Sequence, residues 1–499
     1  MQDAVGCARC VAILARGTSF ELLKLLWPVA LGIVWLIRGF RRGEITSESM
    51  QRFECRLEEL LREGGRRVVE WTVNRLEPDD RLRMRPQWIW QGDYYRLGGR
   101  SPVRSLSCLF GPIRLTRFWY RPLESAGRCL FPLQVALGIV NGVATPALAD
   151  RVARLSVDLT QREVLKQLRP LGIFWGVGTL RKLQQAMAER LEEFQHPAQV
   201  AQVLAWLHQA SKQSGPRRLA VSVGRDGIML PIVKTPKYRE AATATLSVMD
   251  RSGRRVGTVY LGRMPEFGQG TLSDQLTRLL TDVLGAWTGP LPRLVYVTDA
   301  GHHPTAYFED VLSRLRHPRT GALLEWEWIV DYYHACQYVT QLAESIFGPG
   351  RDASAWAGKM RRWLKTKPGG VHRVLRSAGA LLTRRGLIGG VESYCRAYNY
   401  LRDRAGKMDY ARWQRLKLPI GSGVTEAACK ILFTQRFKQS GMKWTVEGGA
   451  AILTLRTIAL SGIWDEVRAR EYASQRAKRP TTPHRSAFTK PFFPKKIAA

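Results

Sequence analysis

The chain has 499 residues, 45% of them hydrophobic, which excludes a disordered chain and gives enough apolar mass for several domains of about 100–200 residues each. Lys and Arg number 77 against 42 Asp and Glu, a formal net charge of +35, so a polyanion such as nucleic acid is expected as partner ahead of an anionic membrane or a ribosomal surface. Eight cysteines, at 7, 10, 55, 108, 129, 336, 395 and 429, follow no repeating spacing, which argues against a disulfide framework and suits a reducing cytosol.

Residues 1–45 read as an N-terminal extension, with Met50 just ahead of the first long amphipathic pattern. Cys7 and Cys10 have C-x-x-C spacing, yet a zinc site needs a second pair and none lies nearby. The uncharged run Leu25–Ile37 spans 13 residues before Arg38, Arg41 and Arg42. That is shorter than the roughly 20 residues of a bilayer span; the positive charge after it would suit a weak signal anchor, but no small-residue cleavage site follows, so the run does not by itself predict membrane association. In region 46–84, Phe53, Leu57, Leu60, Leu61, Val68, Val69 and Trp71 recur near helical spacing, which predicts an amphipathic helix from Met50 to Asn74. Region 85–144 is rich in Arg, Gly, Pro and aromatics, with short alternating runs such as Ile113–Trp119, and predicts a small β-rich unit with a basic face.

In region 145–215, Thr160 and Glu163 form a capping box opening a helix, Pro170 and Gly172 break it, and a second helix begins at Thr179. This is helix-turn-helix spacing, with Arg181, Lys182, Gln184 and Gln185 as groove-facing candidates; two helices joined by a short turn also occur in any bundle. From 216 to 331 the pattern predicts a strand ending at Asp226, strands over Ala241–Met249 and Arg255–Gly262, a helix over Leu272–Trp287, a strand over Leu294–Thr298, a helix over Thr305–Leu315, and a strand over Leu324–Val330. Region 332–420 reads as a helical, basic insertion carrying Lys359, Arg361, Arg362, Lys365, Lys367, Arg373, Arg376, Arg384 and Arg385. Region 421–465 holds a glycine-flanked turn and a helix with Glu426, and 466–499 reads as a basic flexible tail.

Three strands, a helix, a strand, a helix and a strand is ribonuclease H-like order, so the fold class expected is α/β: a ribonuclease H-like catalytic domain with a helical insertion, preceded by helical and small β-rich DNA-binding regions. In that order the ends of the first and fourth strands are neighbours, where Asp226 and Asp299 lie, and a third acid arrives from a later helix, where Glu426 lies. Three carboxylates at one point repel unless divalent cations neutralise them, and hard oxygen ligands suit Mg²⁺ or Mn²⁺. Two such ions imply phosphoryl transfer. Each acid also has an ordinary role available: Asp226–Gly227 as a hairpin turn, Asp299 as a helix cap, and Glu426 as an exposed residue paired with Lys430.

Gly224–Gly227, Thr298–His303, Asp331–His334, Gly421–Lys430 and Gln435–Trp444, within a span from about Phe53 to Trp464, resemble DDE transposases of bacterial insertion sequences, the Kra-type group in particular. The resemblance implies a cytoplasmic, nucleoid-associated enzyme with Asp226, Asp299 and Glu426 as both catalytic and metal-holding residues. Its partners would be double-stranded DNA, both terminal repeats and target, and further copies of the chain in a homodimer or larger synaptic complex. His302 and His303 are candidates for contact with metal or phosphate, with solvated or backbone-bonded turn histidines as the ordinary alternative. Asp331 and His334 have the Asp-x-x-His spacing of related transposases, with two readings open: a role beside the active site or DNA, or a local Asp–His hydrogen bond. Arg436, Lys438 and Lys443 are phosphate-contact candidates, and Trp444 either stacks on a base or packs in the core. Two other readings share these residues: a domesticated, non-catalytic DNA-binding protein, and a ribonuclease H-like structure-selective nuclease.

Overall fold

A computed structural model describes residues 3–103, 106–124, 127–233 and 238–481, with side chains from residue 20 onward. The side chains of Cys7 and Cys10 and the proline-interrupted tail with Lys490, Lys495 and Lys496 lie outside the described residues. The chain divides into two compact units, residues 1–187 with 471–499, and residues 188–470.

The first unit opens with α1 (Asp3–Arg42) and α2 (Ser47–Val73). Thr46 and Ser49 form a reciprocal capping box that starts α2. The two helices run antiparallel: Leu60 lies over Gly32, Val29 beside Gly64, and the Phe40 and Phe53 rings are 4.8 Å apart. The apolar segment expected to be too short for a bilayer belongs to a longer helical stretch. Phe20–Arg42, 23 residues at ~1.5 Å each, is long and apolar enough to cross a membrane, and little of it is buried. After α2 come β1 (Gln87–Trp90), β2 (Asp93–Pro102), β3 (Leu106–Cys108), β4 (Gly111–Ile113) and β5 (Thr116–Pro122). β1, β2 and β5 form one antiparallel sheet in that order, and β3 pairs with β4. The alternating run Ile113–Trp119 is therefore split between two strands, with Leu115 fully buried at the break.

Short α3 (Pro132–Ala136) and α4 (Pro146–Asp158) precede α5 (Gln161–Leu168), whose N-terminus is closed by the expected Thr160–Glu163 box. Gly172, at φ 72°, ends the following turn, and α6 runs from Val177 to Ser211. Of the four groove-facing candidates on α6, Arg181, Lys182 and Gln185 are exposed. Gln184 is buried and donates to Ser156 Oγ at 2.8 Å, so it packs α6 on α4 and cannot read a groove.

The second unit is mixed α/β around one five-stranded mixed sheet. Its strands are β6 (Ala220–Leu230), β7 (Arg239–Met249), β8 (Arg255–Arg263), β9 (Arg293–Thr298) and β10 (Trp326–Val330), in the order β10-β9-β6-β7-β8. β10, β9 and β6 are parallel, and β7 and β8 are antiparallel. Between β8 and β9 lies α7 (Gly270–Ala286), whose Leu272, Leu276, Leu279, Leu280, Val283 and Leu284 form the core with Val203, Leu207 and Ala210 of α6. After β9 comes α8 (His302–Asp310), shorter and earlier than the expected Thr305–Leu315 helix.

The helical region after β10 comprises α9 (Tyr332–Phe347), α10 (Arg351–Thr366), α11 (Gly370–Arg385), α12 (Val391–Asp403) and α13 (Tyr410–Arg415), whose Val339, Leu342, Met360, Leu364, Val374 and Leu401 share one core with Val295, Val297, Ile329 and Val330 of the sheet. Then follow α14 (Gly423–Cys429), α15 (Gln435–Phe437), α16 (Val446–Leu460) and α17 (Trp464–Ala477). α17 occupies the first part of the segment assigned to a flexible tail; its Val467, Arg468 and Glu471 are buried, a pattern composition could not reveal.

Candidate active site

Register brings the first two acids together. The parallel pairing of β6 with β9 ends at Val223↔Tyr296, and Asp226 and Asp299 each lie three residues beyond it. β10 pairs with β9 up to Val330↔Thr298, so Asp331 falls in the same row. Asp226 is not at a strand end, as sequence reading had it, and Asp226–Gly227 is no hairpin turn. β6 continues to Leu230 because β7 still supplies its hydrogen-bonding partner, Thr243 opposite Asp226 and Ala242 opposite Gly227. Beyond Val223 the strand stays paired to β7 alone, and the Asp226 side chain lies on the same face of the sheet as Gly224.

The third acid is seated by packing. A Cβ on Gly224 would stand 2.0 Å from Thr425 Oγ1, so only glycine lets α14 approach β6 this closely. Thr425 Oγ1 also shares a 2.8 Å hydrogen bond with Thr245 Oγ1 on β7. Glu426, the next residue, is exposed, and its Oε1 accepts from Ser422 Oγ at 2.9 Å, where sequence offered a pairing with Lys430. Directly after α14 the chain makes a π turn, Lys430–Thr434, a feature often found at functional sites.

These placements put the Asp299 and Glu426 carboxyls within electrostatic reach of Asp226. The Asp226 carboxyl is pushed up from 3.8 to about 6, mainly by burial, with Asp299 and Glu426 adding to it; hydrogen bonds from the Gly227 N–H and the Cys429 thiol pull the other way. The Gly227 N–H lies 2.8 Å and Cys429 Sγ 3.3 Å from the carboxyl oxygens. Burial and the neighbouring Asp226 in turn push the Cys429 thiol well above its ordinary range, so it stays a neutral donor. Asp299 Oδ1 accepts from the Gly301 N–H at 2.9 Å, and its carbonyl oxygen accepts from Tyr400 Oη at 2.9 Å. Ala300 between them is a non-glycine residue at φ 59°, a strained conformation held by this bracing.

Among the described residues no three His, Cys, Asp or Glu side chains close tightly enough to grip a metal ion as they stand. The donor chemistry nevertheless fits a hard divalent cation. The charged groups here are carboxyls, the Cys429 thiol beside them being held neutral, and a carboxyl raised mainly by burial, with two other acids adding to it, gains from a cation beside it.

The remaining candidates separate. His303 Nε2 lies 3.8 Å from Glu240 Oε2, and that carboxyl folds over Gly227, where a Cβ would stand 1.8 Å from Glu240 Oε1. His302 is exposed, its ring edge-on to His303 at 5.2 Å. The local bond expected between Asp331 and His334 is present: Asp331 Oδ1 caps α9 by accepting from the His334 N–H at 2.7 Å, while the His334 ring stands edge-on to Tyr338. Lys438 and Lys443 are exposed, but Arg436 is buried and its guanidinium lies 5.0 Å from the centre of the Trp444 ring. Trp444 is buried too, with Nε1 donating to the Phe437 carbonyl at 3.2 Å, so both are core residues and not DNA contacts. Sequence reading missed Gly224, Thr425, Cys429, Glu240 and Tyr400 as parts of the site. The Gly-Ser-Gly-Val-Thr-Glu run was the one signal for Thr425; Tyr400 lies about 100 residues beyond Asp299 with nothing to mark it. In comparisons with known proteins, no family model matches the chain and no curated relative matches it.

Proposed function

We propose that this chain is a DNA transposase of the insertion-sequence, DDE type, with its second unit a ribonuclease H-like catalytic domain interrupted by the helical insertion α9–α13. The observation that carries the reading is the row formed by Asp226 and Asp299 on neighbouring parallel strands, with Thr425 seated over Gly224 and Glu426 next to it, so that the Asp226 carboxyl feels both other acids. Sheet order and the late helix bearing Glu426 support the ribonuclease H-like assignment.

Asp226, Asp299 and Glu426 are the residues that would hold two Mg²⁺ or Mn²⁺ ions, which when bound supply an activated water and neutralise charge at a scissile phosphate. The protein's own part is to hold these carboxylates in register and to bind the polyanion around them. The stretch Ala353–Val391 carries nine Lys and Arg and no Asp or Glu, and Lys359, Arg362, Arg373 and Arg376 are exposed. That charge suits the phosphates of element ends or target DNA. Two ends joined in one complex call for a homodimer or larger assembly, working on the nucleoid.

The test is a cell-free assay on duplex oligonucleotides bearing the element's ends, with Mg²⁺ or Mn²⁺, reading 3′-end cleavage and joining of the freed 3′-hydroxyl to target DNA separately. Cleavage with joining supports the transposase. Cleavage without joining points to a structure-selective nuclease, and binding alone to a non-catalytic DNA-binding protein.

A further inference from the structure

Asp331 stands in the same row as Asp226 and Asp299, yet it is the one acid of the row that is almost fully buried, at 1% exposure. Both its oxygens are occupied. Oδ1 takes the His334 N–H at 2.7 Å; Oδ2 takes the backbone N–H of Ser422 and the Ser422 hydroxyl, the latter at 2.7 Å. A carboxylate already accepting three hydrogen bonds inside the protein has little left to offer a cation or substrate.

What Asp331 touches gives it a different role. Its own N–H donates to the Thr298 carbonyl at 2.8 Å, the residue before Asp299. Its side chain holds Ser422, whose hydroxyl is also 2.9 Å from Glu426 Oε1. The neighbouring Tyr332 N–H donates to the Ile420 carbonyl at 2.8 Å, doubling the tie between the start of α9 and the turn before α14. A Cβ on Gly421 would stand 3.0 Å from the Tyr333 ring, so that turn lies close against α9. One residue thus connects the strand that leads to Asp299 with the turn that leads into the helix of Glu426.

We propose that Asp331 is a positioning residue: through Ser422 it fixes Glu426 against the Asp226–Asp299 pair, and it ties that placement to the first helix of the insertion. This rests on the reading of Asp226, Asp299 and Glu426 as the metal-holding trio. The Ser422 hydroxyl has a single proton and two carboxylates within reach. Asp331 holds the Ser422 backbone N–H and with it the turn, and the Ser422 hydroxyl passes that placement on to Glu426. Outer residues that orient ligands typically matter about 10–100-fold in metal affinity or activity.

The experiment measures Mn²⁺ affinity of the DNA-free full chain by electron paramagnetic resonance, for the wild type, Asp331→Asn, Ser422→Ala and Ser422→Thr, with thermal melting of each protein without metal. Asparagine has one acceptor oxygen and cannot serve the His334 and Ser422 N–H groups together. Asp331→Asn and Ser422→Ala should therefore weaken Mn²⁺ by tenfold or more, with Ser422→Thr restoring it. In strand-cleavage assays the same two variants should lose kcat while KM for DNA stays within about twofold. Ser422→Ala keeps the backbone N–H on Asp331 and decides the matter alone if Asp331→Asn does not fold. Mn²⁺ affinity within twofold of wild type for Ser422→Ala, with or without a lower melting temperature, overturns the proposal and leaves Asp331 a helix cap. A wild type that binds no Mn²⁺ overturns instead the trio on which the proposal rests.

Discussion

Replacing Asp226 by asparagine should stabilise the metal-free protein while removing its chemistry. The carboxyl is pushed from 3.8 to about 6 in the folded protein. At about 1.4 kcal/mol per pKa step this corresponds to roughly 3 kcal/mol, the excess cost of ionising Asp226 in the folded chain. For an acid whose folded value lies above its unfolded one, the favourable contribution is complete below about pH 4 and is lost as the pH rises through about 6. The amide that replaces the carboxyl in the variant carries no such cost. The two proteins should thus melt together near pH 4 and diverge by pH 8, with Asp226→Asn higher by roughly 3–5 °C for a unit of this size. Adding Mg²⁺ at pH 8 should raise the wild type and leave the variant in place, because a cation beside an ionised carboxylate reverses the penalty. Calorimetric or fluorescence melts at both pH values, with and without Mg²⁺, give the comparison. A variant less stable than wild type at pH 8, with no pH-dependent gap and an unchanged response to Mg²⁺, would refute the reasoning and make Asp226 an ordinary structural acid.

Other substitutions test other parts of the site. Gly224→Ala sets a methyl 2.0 Å from Thr425 Oγ1 and should cut strand cleavage at least tenfold with DNA binding intact; adding Thr425→Ala should recover part of the loss, and no effect of the single change would mean α14 is not seated there. Trp444→Ala should lower stability by about 3–5 kcal/mol in denaturant unfolding, whereas weaker DNA binding at unchanged stability would return Trp444 to base stacking. On α6, Arg181→Ala and Lys182→Ala should weaken DNA binding and Gln184→Ala should lower stability; the reverse pattern would remove this helix from DNA recognition. Affinity for duplex DNA should fall with salt at a slope of about −0.9 per phosphate contacted, and a flat response would assign the net charge of +35 to some other partner.

Much of the second unit could be read from the sequence because its strands are continuous apolar runs bounded by turns, and Asp299 follows one of them directly. Asp226 was harder. Asp-Gly usually marks a turn, and that β6 continues is decided by β7, a partner that appears only in the folded sheet. Buried polar residues were the least legible. Arg436 lies in a run of polar and basic residues that reads as surface, and the Trp444 ring against it appears only in the folded chain. The same holds for Gln184, whose partner Ser156 lies on another helix. Asp331 was visible as a member of an Asp-x-x-His spacing, but that it holds Ser422 depends on a turn some ninety residues later.

The π turn at Lys430–Thr434 sets a constraint on how this chain can change. Such a turn holds one residue more than an α-turn, so everything before it is rotated by about 100° relative to everything after it. Deleting a single residue here, such as the exposed Thr434, would make a more regular helix and keep the chemistry of every other side chain. It would also swing Glu426 away from the strands while Leu432, Phe433 and Phe437 stayed in their core, or hold Glu426 and turn those three outward. The helix is thus less regular than its sequence would permit because two faces must be satisfied at once. Insertions and deletions in this short segment should be far more damaging than substitutions at its exposed positions.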